Sequence, residues 1–148
     1  MKCLIDADAC PVTRIAVELC AKYQVRCILF CDTAHVFYDL PAEVVTVSQG
    51  ADSADYAVAN AAAAGDIVVT QDYGLAAMCL AKKAVPISQN GLLYTEQNIE
   101  SLLLSRYTAS KVRAAHGKIK GPKKRLVKQN DAFIRTFTEL LCKNPGAV

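Results

Sequence analysis

Short continuous apolar segments alternate along this chain with longer stretches in which apolar residues return every three or four positions. The segments 2–5, 25–30, 44–47, 66–70 and 85–88 are too short and too apolar for surface helices. Continuous apolar runs of that length are what strands buried on both faces of a parallel sheet require. Between the first two, Val12, Ile15, Ala16, Leu19, Cys20 and Tyr23 follow the stripe of a helix packed on a sheet, with Arg14, Glu18 and Lys22 on the opposite side. Pro11 sits where that helix begins, because its missing N–H would be unpaired there anyway. The alanine-rich stretch after Tyr56 predicts a helix that begins near Asp52 and stops at Gly65. Gln71, Asp72, Tyr73 and Gly74 open another over 75–80, and Thr95 opens one that runs through Leu104 and on to about Ala115. A last amphipathic helix, 131–142, is expected to bury Phe133, Ile134, Phe137, Leu140 and Leu141. Strand and helix in alternation predict an α/β fold in three layers, a parallel sheet with helices on both faces. At 148 residues one domain, 1–148, is expected, with no internal repeat.

Composition changes this picture in two places. Seven cysteines could suggest a disulfide framework, but the number is odd and no C-x-x-C occurs. They read as small buried hydrophobes in a reducing compartment. Cys27, Cys31 and His35 lack an evident fourth ligand for zinc. Asp6 and Asp8 interrupt any hydrophobic leader, and no apolar run approaches the ~18 residues of a membrane helix, so a cytoplasmic protein without membrane contact is expected.

The net charge of +3 conceals a division. Up to Ser101 six Lys and Arg face twelve Asp and Glu, a net of −6; from Leu102 onward eleven face two, a net of +9. The segment 102–148 therefore reads as a basic, helical C-terminal extension. Its stretch 117–128, GKIKGPKKRLVK, reads as a loop or arm whose Lys118, Lys120, Lys123, Lys124, Arg125 and Lys128 meet phosphates. The segment 32–43 has no clear period, and its His35, Phe37 and Tyr38 are expected to cover a sheet edge.

The acids carry the chemistry. Asp6 and Asp8 follow the first strand, Asp52 and Asp55 the third, and Asp72 the fourth. In open α/β sheets ligands bind at the carboxyl ends of strands, so these five are expected to share one crevice. Each acid alone reads as a helix cap. Together they do not: two carboxylates about 4 Å apart repel by roughly 4 kcal/mol at an effective dielectric near 20, while a helix amino terminus returns only about 0.3 to 1 kcal/mol to each. Hard divalent cations, Mg²⁺ or Mn²⁺, would hold the cluster. Asp6, Asp8, Asp55 and Asp72 are the expected catalytic metal ligands, with Asp52 orienting or capping and the Thr70 hydroxyl supporting from behind. Asp66 enters its strand at the other end and is expected to lie far away. Metal held in this way activates water and clamps the oxygens of a phosphodiester, which points to metal-dependent hydrolysis.

The segments DADACP (6–11), GADSAD (50–55), GDIVVTQDYGLA (65–76) and GKIKGPKK (117–124) resemble the YaiI/YqxD family of bacterial proteins over nearly the whole chain. That family is similar in fold to PIN-like nucleases, so the resemblance implies a PIN-like sheet whose strand ends bind Mg²⁺ or Mn²⁺ to cut RNA. TQDYGLA looks like the third acidic motif of PIN domains, which implies that Asp72 is its carboxylate. Where PIN domains commonly place a glutamate on the second helix, this chain has the shorter Asp52 and Asp55. A nuclease acting on RNA more readily than DNA is the leading expectation. An RNA-binding module without catalysis is a second. A haloacid-dehalogenase-type phosphatase, with Asp6 as nucleophile and Asp8 as acid, is a third.

Overall fold

The computed structural model describes residues 1–8, 10–32, 39–47, 53–116 and 124–143. The elements in chain order are β1 (Lys2–Asp6), α1 (Thr13–Lys22), β2 (Arg26–Cys31), β3 (Glu43–Thr46), α2 (Ser53–Ala61), β4 (Ile67–Val69), α3 (Tyr73–Ala81), β5 (Val85–Ile87), α4 (Ile99–His116) and α5 (Val127–Cys142). All five strands are parallel and lie in the order β3-β2-β1-β4-β5. The first three run outward in one direction, and β4 returns to the other side of β1. The sheet therefore has its topological switch point between β1 and β4, where ligands of such sheets bind.

Strand alternation sorts the apolar residues into two cores. Cys3, Ile5, Cys27, Leu29, Ile67 and Val69 face one side, against Ala16, Val17 and Cys20 of α1 and Phe133, Phe137 and Leu141 of α5. Leu4, Ile28, Phe30 and Val68 face the other, against Val58 and Ala62 of the α2 region and Leu75 and Cys79 of α3. The helices thus cover both faces, as the continuous apolar strands require. Helix α4 packs outside α3, with Ile99 and Tyr94 buried against Ala76. The parallel rings of Phe133 and Phe137, 4.9 Å apart, sit wholly inside the first core. The division at Leu102 is therefore one of charge and not of packing.

Three boundaries differ from the sequence reading. Helix α1 begins at Thr13 with Val12 as its cap, so Pro11 lies in the preceding turn and Asp8 does not cap the helix. Helix α2 stops at Ala61, four residues before Gly65, because the Asp66 carboxylate accepts the Ala63 N–H at 2.9 Å and folds residues 63–66 into a turn. Helix α5 begins four residues earlier than Asp131, at Val127. The Gln129 side chain accepts the Leu126 N–H at 2.7 Å and so starts the helix inside the basic segment. No helix among the described residues is long and apolar enough to cross a membrane.

Candidate metal site

The period of two that places Leu4 and Val68 on the α2–α3 side also places Asp6 and Thr70 there, each one step past its strand's last core residue. They meet across the switch point. The Thr70 hydroxyl donates to Asp6 Oδ2 at 3.3 Å and accepts the Asp72 N–H at 3.0 Å. Thr70 is buried, and the Tyr94 hydroxyl donates to its carbonyl at 3.1 Å. One threonine thus fixes the acid of β1 to the residue that opens α3.

Asp72 caps α3, its Oδ1 accepting the Leu75 N–H at 3.0 Å. The same oxygen lies 3.7 Å from Nη1 of Arg106 on α4. Asp72 is therefore both a cap and a wall of an open cleft of about 350 Å³, lined also by Asp55, Tyr56, Gly74, Leu75, Met78 and Arg106. Asp55 reaches it from the first turn of α2. Asp8, exposed, accepts the Asp32 N–H at 2.9 Å, tying the loop after β1 to the end of β2.

Burial raises the Asp6 carboxyl to about 6, the Thr70 hydrogen bond opposing the rise and the charges of Asp8 and Asp72 adding to it. Asp6 therefore feels both neighbours. No set of three described carboxylates has oxygens all within 4.8 Å of one another. Asp6 neighbours Asp8 and Asp72, and Asp72 shares with Asp55 a cleft whose lining does not include Asp6 or Asp8; the acids form a row of neighbours and not a closed cage. Hard oxygen donors, partly buried and mutually repulsive, fit a divalent cation that keeps several of its waters.

The sequence expectation that strands one, three and four supply this rim needs correction. The third strand lies at the far edge, separated from β1 by β2. Asp55 reaches the cleft through α2, which packs on α3. Asp52 lies outside the described residues, as do Lys118, Lys120, Lys123, His35, Phe37 and Tyr38. Asp66 does sit at the opposite end of the sheet, paired with Lys2.

The basic segment also changes. Arg125 donates Nε to Asn130 Oδ1 at 2.6 Å, Nη1 to Asn90 Oδ1 at 2.7 Å and Nη2 to the Gln89 carbonyl at 2.5 Å. It ties the turn after β5 to the start of α5 and is not a free phosphate ligand. Lys124 is exposed ahead of the helix, and Lys128 lies in the first turn of α5 instead of in a loop.

Sequence reasoning missed two residues of this region. Asp32 directly follows β2 and occupies the strand-end position that singled out Asp6; counting every strand's last acid would have found it. Arg106 carries no local signal, because only the packing of α4 on α3 brings it to Asp72. Beside it on α4, Tyr107 is exposed with Lys111 Nζ 5.1 Å from its ring centre.

A profile described as "Uncharacterized BCR, YaiI/YqxD family" matches residues 4–143. A UPF0178 protein of Exiguobacterium sibiricum is 48% identical over 141 residues, covering 95% of this chain and 96% of the relative. Those of Alkaliphilus oremlandii and Clostridium acetobutylicum are 42% identical over 144 residues and 40% over 145, and cover 93% and 98% of the relatives. No solved structure matches the chain.

Proposed function

We infer that this chain, which belongs to the YaiI/YqxD family, is a metal-dependent nuclease that hydrolyses phosphodiester bonds, with RNA favoured over DNA. The observation that carries the reading is the Thr70 bridge, which joins Asp6 and Asp72 at the switch point of the sheet. Asp6, Asp8, Asp55 and Asp72 would hold Mg²⁺ or Mn²⁺. Such a cation supplies an acidified water and neutralises charge on the phosphate.

The chain's own groups have separate parts. Thr70 orients one oxygen of Asp6, and its backbone is steadied by Tyr94. Arg106 brings a positive charge to the mouth of the acidic cleft, where an incoming phosphate can take it from Asp72. Tyr107 and Lys111 lie exposed on the same helix, an aromatic ring and a cation of the kind that engage an unstacked base and its backbone. This chemistry suits a single strand of either kind, and the resemblance of TQDYGLA to the third PIN motif is what favours RNA.

The test is cleavage of labelled single-stranded RNA and DNA in Mn²⁺, Mg²⁺ or EDTA, with Asp72→Asn beside the wild type. Asparagine caps helices as well as aspartate does, so the variant keeps α3 and loses only the charge. Cutting of RNA that needs the metal and vanishes in Asp72→Asn is the expected result. A wild type that binds Mn²⁺ but cuts neither nucleic acid overturns the nuclease reading.

A further inference from the structure

At the other end of β1, three cysteines from three elements converge. Cys3 of β1 and Cys27 of β2 are register partners, and Cys20 of α1 packs over them. All three are buried, and their sulfurs lie within 4.8 Å of one another. Among the described residues this is the one group of metal-ligating side chains so closely gathered. Cysteines that merely fill space need not point their sulfurs at a common centre. Cys31 and Cys79, equally buried, do not join the trio.

We propose that Cys3, Cys20 and Cys27 form a three-coordinate sulfur site for a soft monovalent cation, Cu(I). Metal–sulfur bonds near 2.3 Å place the sulfurs of a planar three-coordinate site about 4 Å apart, so closing this site needs shifts well under about 1 Å. The donors are all sulfur, the soft class that suits Cu(I) and zinc over hard ions. Zinc takes four ligands, and among the described residues no fourth ligating side chain is gathered with these three.

Charge fits as well. Cu(I) binds thiolates, so the thiols release protons as the ion enters, and its positive charge offsets part of the negative charge left in the core. Binding would fasten α1 to β1 and β2.

The experiment titrates Cu(I) into the reduced, full-length chain without oxygen, against a coloured Cu(I) chelator, with Cys142→Ser as background to remove the exposed thiol. One tightly held equivalent, proton release on binding and a near-ultraviolet thiolate-to-Cu(I) band are expected, with the Tm raised. Cys20→Ala and Cys27→Ser should each lose the equivalent, and Cys79→Ser should keep it. Cys20→Ala places the best helix former in α1, so it carries the test even where Cys27→Ser fails to fold. No equivalent in the parent, an equivalent retained by Cys20→Ala, or displacement of Cu(I) by Zn(II) would overturn the proposal.

Discussion

Asp6 and Thr70 set the character of the rim one residue at a time. The folded protein holds the Asp6 carboxyl near 6, above its ordinary 3.8, chiefly by burial. A raised carboxyl favours the protonated form in the fold, so its stabilising contribution is full below about pH 4 and is lost as pH rises through 6. The metal-free protein should therefore melt higher at pH 5 than at pH 7.5 through this group. Asp6→Asn should remove that slope and gain about 1 kcal/mol at pH 7.5, after allowance for solvent screening at a partly exposed group. Mn²⁺ should stabilise the wild type at pH 7.5 and leave Asp6→Asn unmoved; melting curves at the two pH values check all three. Thr70 acts differently, because its hydroxyl is the acceptor for the Asp72 N–H. Thr70→Val should cost about 1 to 3 kcal/mol in urea unfolding by stranding that donor, and Thr70→Ser should recover most of it. The positions of Asp6, Asp8 and Asp72 were legible because each follows a short apolar strand. Thr70 was legible as a supporting hydroxyl, but the pair it bridges was not, since the two residues it joins are 66 positions apart in sequence and meet only once β4 pairs with β1.

At the scale of elements, apolar runs and periodicity located the ten elements of the described residues, and the errors fell where side chains overrule propensity. Alanine favours extending α2 to Gly65, yet one carboxylate, Asp66, ends it early by taking the Ala63 N–H. The run of cations before α5 reads as a loop, yet Gln129 starts the helix within it. Arg125 shows the same effect at its clearest. By charge it belongs with the lysines around it, whereas its three hydrogen bonds fix the turn of Gln89 and Asn90 to α5. Two of its three partners are 35 and 36 residues away along the chain, and no local pattern reveals them. Arg125→Ala should therefore lower unfolding stability by about 1 to 3 kcal/mol through the loss of these three hydrogen bonds. Arg125→Lys should restore little, because an ammonium cannot reproduce the guanidinium fork. Chemical unfolding of the three proteins decides between this role and that of a free surface cation, for which all three would coincide.

Over the whole molecule the division of charge sets what the chain can bind and how. The net of −6 before Leu102 repels a polyanion, and the net of +9 after it attracts one. A nucleic acid strand can then approach the acidic rim only if cations on the C-terminal side hold it there. With Arg125 committed internally, Lys118, Lys120, Lys123, Lys124 and Lys128 remain as the candidate phosphate contacts of that segment. Five such contacts predict that log affinity for single-stranded RNA falls with log salt at a slope of about −3.5. Asp72→Asn is the protein in which to measure it, because the substrate should stay intact. Lys124→Glu in that background should make the slope shallower by about 0.7 or more, while Arg125→Ala, if folded, should leave it unchanged. The two substitutions alter the net charge in the same direction, so a general loss of positive charge would flatten both slopes alike. A steep slope in a wild type that never cuts would leave the RNA-binding module as the activity, with the acidic rim serving another purpose. A slope near zero would remove nucleic acid as the partner altogether, and the acids would then have to be read for a smaller phosphate ester.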